Sequence, residues 1–135
     1  MNPDILFRSL LTIGIIAAGV GFYWLNNRLI LGRAPTDSLG DTVTRAGKPV
    51  ILYFTTPTCV PCKTVQKPAI GQIKAVLGEN LQVVEIDATE QPDLAQRWGV
   101  LSVPTTFVID SRGQARHVNH GVARAEKLLK QLHGL

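Results

Sequence analysis

Two cysteines three positions apart, set where an apolar run gives way to a helical pattern, constrain this chain more than any other feature. The run from Val50 to Phe54 predicts a buried strand, and Thr55 to Thr58 a turn. After it, Cys62, Val65, Ala69, Ile73 and Val76 recur at intervals of three or four, the stripe of a half-buried helix. Cys59 therefore falls where a strand ends and a helix begins. Unpaired backbone N–H groups gather there, and the positive end of the helix dipole favours a thiolate, the nucleophilic form of cysteine.

Two other readings of the pair carry less. A structural disulfide closing so short a ring contributes only about 2 kcal/mol by loop-closure entropy. A zinc site needs four ligands, and Cys59 and Cys62 are the only cysteines in 135 residues. His117, His120 and His133 all lie near the C-terminus, and none has ligand spacing. Thiol redox chemistry is the reading favoured for the pair, ahead of metal binding and an inert pair. Two cysteines also exclude a disulfide-rich secreted scaffold.

The second informative stretch is Ile5 to Leu25, 21 residues with a single charge, Arg8, near its start. At 1.5 Å per residue it reaches about 31 Å, enough for the hydrocarbon core of a bilayer. Arg8 can snorkel from its terminal position, and Phe22, Tyr23 and Trp24 cluster at the other end, as in an aromatic belt. No small-x-small cleavage site follows before Asn26, Asn27 and Arg28, and a soluble core helix needs no apolar residues all round. An uncleaved single-pass anchor is the expectation. Gly14/Ala18 and Ala17/Gly21 have small-xxx-small spacing, which is common in membrane helices. The amino terminus and Arg8 flank one end; Arg28 and Arg33 flank the other, so the positive-inside rule favours a cytoplasmic C-terminal domain by one charge only.

The expected organisation is an anchor with its flank over residues 1–31, a linker over 32–37 and a folded domain over 38–135. The net charge of +4 falls away from the anchor. From residue 37 onward, 11 Lys and Arg stand against 9 Asp and Glu, a surplus of two, scattered and without interleaved aromatics. That pattern gives no support to nucleic-acid binding.

Within the domain, Ser38 reads as the N-cap of a brief helix carrying Leu39, Val43 and Ala46, stopped by Gly47 and Pro49. Gly78 ends the helix after the cysteines, and Pro68 inside it predicts a kink. Leu81 to Asp87 reads as a second strand, apolar enough for burial on both faces. A helix from Pro92 to Trp98 follows, then a strand from Thr105 to Asp110, a turn at Ser111-Arg112-Gly113, and a strand from Gln114 to Asn119. Val122, Ala125, Leu128, Leu129 and Leu132 mark an amphipathic closing helix. This β-α-β-α-β-β-α order predicts parallel pairing through right-handed crossovers, with an antiparallel edge from the last hairpin. Sites in such sheets lie at the carboxyl ends of strands, where Cys59 falls. Trp98 reads as core, and His117 and His120 as solvated. Lys63, just past the cysteines, either supports a thiolate or is an ordinary exposed lysine.

With that order in hand, Cys59-Val60-Pro61-Cys62, Val103-Pro104-Thr105 about forty residues later and Gly121 before the last helix make residues 38–135 resemble the thioredoxin family. The resemblance implies an α/β fold of three layers: a central mixed sheet of about four strands, helices on both faces, here preceded by a single transmembrane helix. It implies a thiol–disulfide oxidoreductase that uses no bound cofactor. Cys59 would attack a protein disulfide, and Cys62 would resolve the mixed disulfide. Pro104 would be the family's cis-proline beside the thiols, and Pro61, Val103 and Thr105 would contact substrate. Partners would be disulfide-containing proteins and a thiol electron donor, with a membrane engaged through residues 5–25. Anchored members of the family usually face outside the cytoplasm, which favours an extracytoplasmic domain.

Three departures from the family pattern bear on mechanism. Thr58 stands where a Trp usually precedes the first cysteine, Tyr53 where a buried Asp is frequent, and Val-Pro separates the cysteines in place of Gly-Pro. With no Asp below the site, Glu85, near the family's usual Lys, is a candidate proton acceptor if buried with a raised pKa; the alternative is a Glu facing water at the sheet edge. Two other functions remain open on the same frame. One is a metallochaperone holding Cu(I) between the thiolates, although Met1 is the only methionine; the other is a redox-inert scaffold.

Overall fold

The structure, a computed structural model, describes residues 2–33 and 47–135. The brief helix expected after Ser38 and the linker from residue 34 lie outside the described residues. The chain divides into two compact units, Met1–Ile30 and Leu31–Leu135.

In the first, helix α1 (Pro3–Arg33) runs for 31 residues. Its most apolar stretch has a mean hydropathy of 2.0 and no part of it is buried against protein. It is long and apolar enough to cross a membrane, a property that signal sequences share. The helix also continues past Leu25 through residues where a linker begins in the sequence reading. Leu29, Ile30 and Leu31 are good or neutral helix formers, and no proline interrupts them.

Among its described residues the second unit holds a four-stranded mixed sheet in the order β2-β1-β3-β4. Its strands are β1 (Val50–Thr55), β2 (Gln82–Asp87), β3 (Thr105–Ile109) and β4 (Ala115–His120). Between β1 and β2 lie a π-helical turn (Cys62–Gln66), helix α2 (Lys67–Leu77) and a 3₁₀ turn (Gly78–Asn80). Gly78 caps α2 with φ at +53°, a backbone conformation that glycine adopts without the Cβ penalty. Helix α3 (Pro92–Arg97) joins β2 to β3, and α4 (Ala125–His133) closes the chain.

Strands β1 and β2 are parallel, as their crossover demands. β3 is antiparallel to β1, which corrects the expectation of a second parallel crossover. The reason is length: α3 has six residues and rises about 9 Å, whereas a six-residue strand spans about 20 Å. So short a helix does not carry the chain back along the sheet. β3 therefore starts at the end where β1 finishes, with Thr105 opposite Phe54, and this places Pro104 beside the exit of β1.

Among the described residues β2 lies at one end of the sheet and is only partly buried, not the doubly covered strand expected. One face of the sheet packs Ile51, Tyr53 and Val108 against Ile70 and Ile73 of α2 and Leu128 and Leu132 of α4. The opposite face carries an aromatic cluster. Trp98 meets Phe107 edge-on at 4.8 Å, and Phe54 meets Phe107 at 6.0 Å. Such pairs add about 0.5–1.5 kcal/mol each beyond their buried area. Trp98 is core, as its position after α3 predicts.

Candidate active site

β1 ends at Thr55, and the chain turns over Thr56 to Thr58, where the Cys59 N–H donates to the Thr56 carbonyl at 3.2 Å. Cys59 and Cys62 then form a disulfide, with Cα atoms 5.3 Å apart. The two residues differ in access: Cys59 is 8% exposed and Cys62 is fully covered. The backbone N–H of Cys62 points back at Cys59 Sγ, 3.2 Å away, so a helix-entry donor faces the first sulfur of the pair.

The helix behind the cysteines is not a plain α-helix. Lys67 N–H donates to the Cys62 carbonyl, five residues back, which defines the π turn. Pro68, next in the chain, has no N–H for the carbonyl four residues before it, and the turn ahead of it widens. The kink expected at Pro68 thus takes the form of an extra residue in one turn. That residue shifts the helix phase. Val65 and Val76 are exposed, against the predicted stripe, and the buried line runs Cys62, Gln66, Ala69, Ile70, Ile73.

Gln66 is fully buried one turn behind Cys62. Its Oε1 accepts from Ala123 N–H at 2.8 Å, and its Nε2 donates to the Ala123 carbonyl at 3.1 Å. The clamp ties the cysteine-bearing helix to the loop before α4. In that loop Gly121, with φ at +83°, donates its N–H to the Pro104 carbonyl at 2.8 Å. Pro104 is buried, and the Val103–Pro104 peptide bond is cis.

Tyr53, 1% exposed, lies beneath the cysteines on the face covered by α2, and its hydroxyl donates to the Cys62 carbonyl at 3.2 Å. Burial raises its pKa above the ordinary 10.0, outweighing the opposing influence of the nearby Thr55 hydroxyl; Glu85 pushes it further up, and Lys67 partly offsets that.

The other predicted site residues separate. Pro61 is exposed beside the disulfide, and Val103 is half-buried. Thr105 is fully buried, with its hydroxyl donating to the Ser102 carbonyl at 2.6 Å, so its side chain braces the loop and offers no surface to a substrate. Glu85 sits beside Tyr53 in the sheet but on the edge strand, with its side chain 44% exposed and paired to Lys67 at 3.1 Å. It is the water-facing Glu of the two alternatives, its carboxylate shared between Lys67 and solvent. A groove of about 390 Å³ opens next to the site, lined by Thr56, Pro92, Val100, Leu101 and Val103 among others. Leu101 at its rim is 88% exposed, and Val60, between the cysteines, is 66% exposed.

Sequence reasoning passed over Gln66 and left Tyr53 as no more than a departure. Gln66 follows Cys62 by four positions, a polar residue among core-facing ones, but the predicted stripe routed the buried face through Val65. Among the described residues, no group of three or more His, Cys, Asp or Glu is gathered as for a metal ion, so any soft metal would rest on the two thiolates alone.

The thioredoxin family model matches residues 34–134. A thioredoxin-like protein of Synechocystis sp. is 35% identical over 85 residues, covering 63% of this chain and 79% of that protein. Chloroplastic thioredoxin Y of rice, Oryza sativa subsp. japonica, is 30% identical over 95 residues, but the chain spans only 55% of its length. Among solved structures, chloroplastic thioredoxin z superposes with a TM-score of 0.65 at 21% identity, over 73% of this chain and 87% of that one. Mitochondrial thioredoxin 3 of Saccharomyces cerevisiae, in its oxidized form, gives 0.60 at 23% identity, over 70% and 85%. These structural likenesses speak for the fold, and the matched domain with its disulfide-forming Cys-x-x-Cys supports thiol–disulfide oxidoreductase chemistry in general. The chain belongs to the thioredoxin family.

Proposed function

We propose that the protein is a membrane-tethered thiol–disulfide oxidoreductase acting on protein disulfides. The observation that carries this reading is the asymmetric pair: a reachable Cys59 facing a helix-entry N–H, and a covered Cys62 one turn behind. In the reduced protein the Cys59 thiolate attacks one sulfur of a partner disulfide. A Cys59–partner disulfide forms, the partner's S–S bond breaks, and its second sulfur leaves as a thiolate. Cys62 then loses its proton, for which the expelled partner thiolate is a base at hand, and attacks Cys59 Sγ. The Cys59–Cys62 bond forms, and the partner sulfur held by Cys59 leaves as a thiolate. Two electrons and the Cys62 proton pass to the partner, whose remaining thiolate takes its proton from water, and a thiol donor restores the pair. Run backward, the same steps oxidise a partner.

Glu85 carries no step here, because its carboxylate is turned to Lys67 and solvent. The groove lined by Thr56, Leu101 and Val103, with the exposed Val60 between the cysteines, offers an apolar bed for an extended partner segment. Helix α1 holds the site near membrane-bound partners and raises their effective concentration without new contacts. The domain is placed outside the cytoplasm in this reading.

Two assays test it. Reduced full-length protein mixed with insulin in detergent is expected to lose two thiols for each insulin disulfide opened. A Cys59→Ser variant is expected to be inert. In intact cells an impermeant thiol reagent is expected to label Cys59 without permeabilisation. Stoichiometric Cu(I) retention by the reduced protein, with insulin left intact, would favour the metallochaperone.

A further inference from the structure

The carbonyl of Cys62 accepts two donors, the Lys67 N–H of the π turn and the Tyr53 hydroxyl rising from β1. The N–H of the same residue is the group aimed at Cys59 Sγ. Cys62 is thus held from both sides of its Cα, and of the three contacts only Tyr53 comes from the sheet. The phenol is 1% exposed and sits in the apolar layer between the sheet and α2. With no bulk water to bond, the hydroxyl donates to this carbonyl.

We infer that Tyr53 is a positioning residue for the thiol reaction: its hydroxyl pins the Cys62 carbonyl, keeping the Cys62 N–H trained on Cys59 so that reduced Cys59 is held as a thiolate. This rests on the exchange chemistry proposed above and assigns its electrostatic support to a neutral donor. A buried phenol stays protonated through the working range, so it can orient but cannot take the Cys62 proton as a base. The charged side chains acting on Tyr53 are Glu85 of β2 and Lys67 of α2, and these are paired with each other. Lys63 is the other cation next to the cysteines in sequence, and its side chain is exposed.

The test is the pH profile of iodoacetamide alkylation at Cys59, read by mass in the reduced full-length protein. Tyr53→Phe keeps the ring and its packing. Its Cys59 midpoint is expected to rise by about half a pH unit, making alkylation about threefold slower below the midpoint, with the high-pH limiting rate unchanged. Replacing Tyr53 by 3-fluorotyrosine, a stronger donor of nearly the same shape, is expected to lower the midpoint. A change in stability alone moves neither midpoint in protein that is still folded, and a cooperative thermal transition identifies such protein. Coincident midpoints for Tyr53→Phe, the fluorinated protein and the parent would overturn the inference. Alkylation needs no partner protein. A parent that fails to open insulin therefore retires the oxidoreductase reading, while the midpoints still decide what Tyr53 does.

Discussion

Replacing Gln66 by alanine removes the two hydrogen bonds, at 2.8 and 3.1 Å, that join the cysteine-bearing helix to Ala123. Both residues are fully buried, so the Ala123 N–H and C=O lose their partners where water does not reach. A buried backbone group left unsatisfied costs about 1–3 kcal/mol. Two such groups, together with the cavity left by the amide, give a loss of about 3–5 kcal/mol. For a domain of this size each kcal/mol corresponds to about 4–8 °C in Tm. A fall of at least about 12 °C is therefore expected for Gln66→Ala, by near-UV circular dichroism of the oxidised full-length protein in detergent. Gln131→Ala serves as the comparison: it breaks a paired-amide contact with Asn119 that is only partly buried. Its expected loss is about 1 kcal/mol. If Gln66→Ala melts within about 5 °C of the parent, the Ala123 groups have found other partners and the clamp does not hold the loop to the helix.

The remaining expectations concern charge. His117 is partly buried on β4, and burial, with a smaller push from Arg116, lowers its pKa from the ordinary 6.5. The unfolded chain binds that proton more readily, so stability is full above pH 6.5 and falls as pH drops from there to the folded pKa. A His117→Gln protein should lack this limb in urea midpoints measured across the range. The Lys67–Glu85 pair is half-exposed at the sheet edge. Glu85→Gln is expected to change stability by less than about 1 kcal/mol, with the difference shrinking in salt, and to leave insulin reduction at the parental rate. A tenfold loss of that rate would restore Glu85 to the mechanism.

Much of this organisation was legible in the sequence because it follows from local rules. The Val50–Phe54 run, the cysteine spacing, the glycine that stops α2 and the apolar length of α1 each act within a few residues of themselves. What escaped depends on contacts far along the chain. The antiparallel turn-back of β3 follows from the shortness of α3 measured against a strand. The partial burial of β2 goes with its place in the order of the described strands, which strand composition does not encode. The π turn shifted the buried face from Val65 to Gln66, and nothing within that helix names Ala123, 57 positions away, as the partner. Tyr53 could be seen as a departure from the family pattern, but its carbonyl partner becomes visible only once the strand lies beneath the helix. Thr105 follows Pro104 at the edge of the site, yet its hydroxyl turns inward to Ser102.

The central claim is that Cys59 is the sulfur that meets partners and Cys62 the one that releases them. Cys62→Ser protein expressed full-length in its own membrane, alkylated without reductant and mapped by mass spectrometry, tests it directly. The account predicts partner proteins disulfide-bonded to Cys59, released by dithiothreitol and absent when Cys59 is also changed to serine. Recovery of Cys59 wholly as a free thiol in that strain, with no mixed disulfide, would contradict it.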